Sequence, residues 1–128
     1  MRKRETSRRG IAAVEFAIML PAMVMILLLL VEGGNAMHAY SSLTEASREG
    51  ARLALMDGGS SDIQALVESV VSELDTNFLT TSVTTDAGTN TVTVEVSYAY
   101  VPFGEDAFEL LTGDKSFPMV AQTVMPLP

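Results

Sequence analysis

The sequence predicts an α+β fold: a long N-terminal helix, membrane-spanning and then continuing outside, feeding a small head with a second helix and about three antiparallel strands. Three observations predict it. An apolar run near the N-terminus leads into residues spaced by threes and fours, the pattern of a continuing helix. A second stripe, in residues 61–75, has helical spacing and a capping signal at its start. From Thr80 onward the composition turns to threonine, valine and tyrosine, broken by turn residues.

The first element is defined by the absence of charge. No charged residue lies between Phe16 and Val31, and counting from Ile11 gives 21 residues interrupted only by Glu15. At about 1.5 Å per residue that helix covers roughly 30 Å, the thickness of the hydrocarbon layer. A cleaved secretory signal has a shorter apolar region and ends at a small-x-small site. Ala36-Met37-His38-Ala39 puts large residues where such a site needs small ones. Residues 11–31 are therefore read as a transmembrane helix. Pro21 falls in its second or third turn, removes one backbone donor, and is expected to kink it.

Charge orients this anchor. The chain carries a formal charge of −8, but residues 1–10 hold Arg2, Lys3, Arg4, Arg8 and Arg9 against Glu5 alone. Basic residues are retained on the cytoplasmic side, so residues 1–10 read as a cytoplasmic leader and residues 32–128 as an extracytoplasmic domain. Only Arg48, Arg52 and Lys115 are basic after the leader, which leaves no clustered positive surface for nucleic acid. Cysteine is absent, which excludes disulfides, thiolate metal sites and a cysteine nucleophile.

After Glu32, the Gly33-Gly34 pair makes a junction where a hinge is expected. Ala36, Ala39, Leu43, Ala46, Gly50 and Leu53 then mark one narrow face of a helix over residues 35–56. That face of small residues suits close approach by another helix, or packing on the chain's own domain. Glu45 with Arg48 and Glu49 with Arg52 have the spacing of i,i+3 pairs on the opposite side. Asp57-Gly58-Gly59 is the expected stop. A second helix is predicted over 61–75, with Ser61 and Gln64 as a capping box and Ile63, Leu66, Val67, Val70, Val71 and Leu74 as its apolar stripe.

Strands are predicted over 80–86, 91–101 and 117–125. Asp86-Ala87-Gly88-Thr89-Asn90 is the turn of a hairpin, and Val92, Val94, Val96, Tyr98 and Tyr100 alternate with polar or small residues in its second arm. Pro102 ends the pairing. Residues 105–111 have room for one or two helical turns before Gly113. Three strands covered by the second helix bury the valine and tyrosine face.

The residues that carry chemistry lie at the leader junction. Arg8-Arg9-Gly10 is followed by Ile11-Ala12-Ala13-Val14-Glu15-Phe16 and then the apolar run. This resembles a type IV prepilin site, in which a membrane aspartyl peptidase cuts after the glycine and the fifth residue of the mature chain is glutamate. Downstream, Ala13-Val14-Glu15-Phe16-Ala17, Leu20-Pro21, Glu32-Gly33 and Ala46-Ser47-Arg48-Glu49-Gly50-Ala51-Arg52 are similar to the TadE family, minor pseudopilins of the tight-adherence (Flp) pilus system. Many relatives have a bulky residue after the glutamate at the helix exit, where this chain has Gly33-Gly34.

The resemblance implies cleavage between Gly10 and Ile11 by a prepilin peptidase. It also implies the other partners: the major Flp pilin, other pseudopilins, the Tad membrane platform and membrane lipid. Independently of the resemblance, the residues offer no catalytic constellation, so no enzymatic activity, small-molecule substrate or cofactor is expected, and no nucleic acid partner. The location implied is the inner membrane, with the head periplasmic or extracellular.

Chemistry gives the site a rationale. Glycine lets the backbone lie extended in a protease cleft, and the arginines hold the bond at the cytoplasmic surface. Cleavage makes the Ile11 amine cationic, one helical turn from Glu15. A carboxylate inside a membrane costs about 2.5–3.5 kcal/mol on insertion scales, and an amine from an adjacent subunit offsets that cost. The blander reading of Glu15 is an interfacial charge favoured by the helix N-terminus. An uncleaved membrane protein whose head recruits a periplasmic partner is the alternative to the pseudopilin.

His38 is the only histidine, so no histidine pair exists for a metal, and it is expected at the surface or in packing. Ser41 and Ser42 lack the glycines of a nucleophile elbow. Glu105, Asp106, Glu109 and Asp114 lack the spacing of a calcium loop and are expected to form a solvated edge.

Overall fold

A computed structural model describes residues 3–56 and 62–128. It has a long helix α1 (Lys3–Met56), a short helix α2 (Ile63–Val70), strands β1 (Leu79–Asp86) and β2 (Thr91–Tyr100), a helix α3 (Glu105–Thr112), and strand β3 (Phe117–Pro126). The strands form one antiparallel sheet in the order β1-β2-β3. This is the α+β arrangement the sequence predicts. The chain divides into two units, Met1–Gly34 and Asn35–Pro128.

In the first unit α1 begins at Lys3, eight residues ahead of the expected start at Ile11, so residues 3–10 of the leader are helical too. Pro21 consequently lies about five turns into the helix and not in its second or third turn. The helix assignment also runs through Gly33 and Gly34, where open space surrounds both glycines.

In the second unit the stretch of α1 after Asn35 lays a narrow stripe on the sheet. Ala39, Leu43, Ala46, Ser47, Gly50, Ala51 and Ala54 are buried, at the three- and four-residue steps of one helix face. The small residues let the helix axis come close. A Cβ built on Gly50 would stand 3.1 Å from methyls of both Ile63 and Val94. The small-residue face therefore packs on the chain's own head, and the strands are covered by α1 as well as by α2. Burial along β2 alternates, with Val92, Val94 and Val96 facing in, and Met119 and Ala121 of β3 extending the same face.

One polar contact crosses this core. The Ser47 hydroxyl donates to the Thr44 carbonyl at 2.8 Å, which uses its only hydrogen, so the Thr123 hydroxyl 2.8 Å away donates to Ser47. Thr123 pairs with Val94 across the sheet, so this bond ties α1 to β3 at the level where Gly50 meets Val94.

The expected helix over 61–75 is shorter. Asp62 caps α2, its carboxylate accepting from the Ala65 N–H at 3.1 Å. Ser61, and with it the expected capping box with Gln64, and the Asp57-Gly58-Gly59 stop lie outside the described residues, while the Gln64 amide donates to the Glu68 carboxylate at 3.0 Å. α2 ends at Val70 because the adjacent β-branched Val70 and Val71 are poor helix formers and Asp75 caps a separate 3₁₀ turn, Thr76–Phe78, through the Asn77 N–H.

The hairpin turn is built on Asp86 and Asn90. The Asp86 carboxylate accepts from the Gly88 and Thr89 backbone N–H groups, and Asn90 adopts a left-handed φ of 54°. α3 ends at Gly113, whose φ of 85° supplies the left-handed cap, with its N–H bonded to the Glu109 carbonyl. Phe108 holds α3 on the sheet through Phe117, at 5.9 Å between ring centroids, and Phe117 in turn meets Tyr100 at 5.1 Å.

Candidate functional site: an uncovered apolar helix with a processing junction

The sequence places the candidate site on the first part of α1, and the structure keeps its residues together. Gly10, Ile11, Glu15 and Pro21 all lie in that single helix. Ile11 and Glu15 are four residues apart, on one face and about 6 Å along the axis. Pro21 leaves the Ala17 carbonyl without the donor that residue 21 ordinarily supplies.

No protein covers this stretch. Every residue from Ile11 to Val31 is exposed, including Phe16, Ile18 and Leu27 to Leu30, each about half exposed or more. Burying such side chains is worth about 1.5–3 kcal/mol each, so a run of this length stays in water only at large cost. A helix that is apolar all round and uncovered over this length calls for lipid or other protein around it. Glu15 is the one ionisable group in that run, and it has no hydrogen-bond or ion-pair partner among the described residues.

The peptide bond between Gly10 and Ile11 is helical, with nothing within 4 Å of a Cβ added at Gly10. A protease needs an extended strand, so the first turns must open before any cut here. Glycine makes this the weakest point, costing about 1 kcal/mol relative to alanine in a helix interior.

The remaining sequence candidates are dispersed. His38 and Glu73 form an exposed contact, Nε2 to Oε2 at 2.9 Å, which joins α1 to the segment after α2. Ser42 donates to the His38 carbonyl and is not aimed at the imidazole. Glu49 and Arg52 stand 3.7 Å apart, whereas Glu45 and Arg48 form no ion pair among the described residues, contrary to the spacing. Glu109 pairs with Lys115 at 3.7 Å, while Glu105 and Asp106 occupy the first turn of α3, where their charge suits the helix dipole. No group of three His, Asp or Glu among the described residues could hold a metal ion.

Two features escaped sequence reasoning. Phe103, Leu110 and Leu111 stand 87%, 86% and 84% exposed around α3. A groove of about 610 Å³ lies between α1 and β3, lined by Arg48, Glu49, Arg52, Leu55, Thr123 and Met125. The only sequence signal for the first was three large apolar residues in an otherwise acidic segment.

These features define a class: a protein with, among the described residues, one helix long and apolar enough to cross a membrane, and a small α+β head. Residues 10–52 match the model of the TadE-like protein family, so the segment from Gly10 through Arg52 is TadE-like, as the residues around Glu15 and Gly50 imply. No curated protein and no solved structure matches the chain. The match and the uncovered helix together support a membrane protein associated with the Tad pilus machinery.

Proposed function

We propose that the chain is a pseudopilin of Flp pilus assembly, held in the inner membrane with its head outside, and processed after Gly10 by a prepilin peptidase. One observation carries the reading: the TadE-like segment begins at Gly10 and runs through an uncovered apolar helix whose only charge is an unpartnered Glu15. Cleavage would turn the Ile11 amide nitrogen into a cationic amine. Glu15 of one subunit then neutralises the amine of the next and sets the register of neighbouring helices, while lipid contacts are exchanged for protein ones. The major Flp pilin, other pseudopilins and the membrane platform are the partners in this reading.

The helical state of the Gly10–Ile11 bond favours a second reading, an uncleaved anchor whose head recruits a periplasmic partner. Mass spectrometry of the chain extracted from cells that carry the pilus machinery separates the two. A mature N-terminus at Ile11 is expected, and Glu15→Ala is expected to be processed yet missing from pilus fractions. A chain that keeps its leader overturns the processing, and normal incorporation of Glu15→Ala overturns the charge pairing.

A further inference from the structure

The geometry points to a head-to-tail contact between copies of this chain, in which the apolar surface around α3 of one head seats in the groove between α1 and β3 of the next. The donor surface is Phe103, Leu110 and Leu111, all more than four-fifths exposed, beside the acidic first turn at Glu105 and Asp106. Three large side chains left this open on a head of fewer than one hundred residues mark an interaction surface. Their acidic neighbours select the partner, because an acidic rim is repelled by anionic lipid and by most of this head's own surface.

The acceptor is on the same molecule. Of the three basic residues beyond the leader, Arg48 and Arg52 both line the groove, one helical turn apart, next to the apolar Leu55 and Met125, and they outnumber its single acidic residue, Glu49. Arg48 has no ion-pair partner among the described residues, and Arg52 has only an exposed contact with Glu49 at 3.7 Å. Apolar side chains with an acidic rim thus meet an apolar groove whose rim is net positive, a match of both shape class and charge.

A single copy cannot make this contact with itself. α3 leaves the sheet where Tyr100 pairs with Phe117, whereas the groove touches Thr123 and Met125, some 20–26 Å further along β3. A reciprocal two-fold pair would use both patches and both grooves at once; the head-to-tail contact is the heterologous alternative, in which each head meets two different neighbours. Such contacts propagate from copy to copy unless the rotation happens to close a ring. The inference does not rest on processing after Gly10.

The chain contains no cysteine, so single cysteines report proximity without background. The full-length protein is reconstituted in phosphatidylcholine vesicles, and Leu111→Cys is mixed with Leu55→Cys under a short bis-maleimide. The expected product is a dimer formed only in the mixture, and a ladder of higher species from the chain carrying both substitutions. Reversing the groove with Arg48→Glu and Arg52→Glu lowers the yield roughly tenfold, and Glu105→Arg with Asp106→Arg on the other partner restores it. The restoration excludes misfolding of the reversed head as the cause. The proposal is overturned if Leu111→Cys links to itself or to a control Ser82→Cys as well as to Leu55→Cys, or if charge reversal leaves the yield unchanged.

Discussion

Asp86 holds the β1–β2 turn by accepting two backbone hydrogen bonds, from Gly88 at 2.8 Å and Thr89 at 3.4 Å. Bonds to the Gly88 and then the Thr89 amide favour the charged carboxylate, so its pKa falls below the ordinary 3.8. A group whose pKa is depressed on folding stabilises the folded state above its unfolded value and loses that contribution as pH falls through the folded one. Asp86→Asn keeps an acceptor oxygen in place and removes the charge. It is expected to melt below the parent at pH 7, and the gap is expected to narrow as pH drops below 3.8 in thermal melts followed by circular dichroism. A gap independent of pH would show that the charge contributes nothing to the turn. Its role as a turn residue was legible in the sequence, since an Asp two residues before Gly in a polar break has that local bonding option. Ser47 was not legible in this way. A serine on a face of alanines reads as a small residue, and only the sheet places Thr123 above it.

On α1, the face of Ala39, Leu43, Ala46 and Gly50 was visible in the spacing, yet spacing alone left two partners open, another helix or the chain's own head. Tertiary packing decides between them, with Ile63 and Val94 each 3.1 Å from a Cβ at Gly50. Val94 is β-branched on a central strand and Ile63 begins α2, so neither methyl has much room to retreat. Gly50→Leu is therefore expected to destabilise the head by about 1–3 kcal/mol through overpacking, despite leucine's better helix propensity. Chemical denaturation of the full chain in detergent checks it, and unchanged stability would mean that α1 does not pack at this distance. The strands were the most legible elements, because alternation of valine with threonine fixes both state and face. The end of the second helix was the least legible. Its apolar stripe continues to Leu74, but Asp75 offers the chain a 3₁₀ turn that competes with the helix. The start of α1 was missed for a related reason: charge marks where the lipid begins, and helical geometry continues across that boundary into the leader.

Across the whole molecule, a small acidic head is joined to an apolar helix whose leader carries Arg2, Lys3, Arg4, Arg8 and Arg9. Those five cations are the only strong determinant of orientation, since acidic residues have little influence on it and the distal part contains just three basic residues. A C-terminal alkaline phosphatase fusion, active only outside the cytoplasm, is expected to be active on the parent chain. Replacing all five with glutamine leaves Arg48, Arg52 and Lys115 as the main positive charges beyond the helix, which favours keeping the head in the cytoplasm. Phosphatase activity is then expected to fall severalfold while a fluorescent protein fused at the same place gains signal. The two reporters must move in opposite directions if orientation is what changed, because poor insertion or degradation lowers both. An unaltered pair would mean that the apolar helix is oriented by something other than its leader, and the proposal of an external head would then stand on the family match alone. A reversed population would also test the head-to-tail contact, since heads on opposite sides of a bilayer cannot join patch to groove.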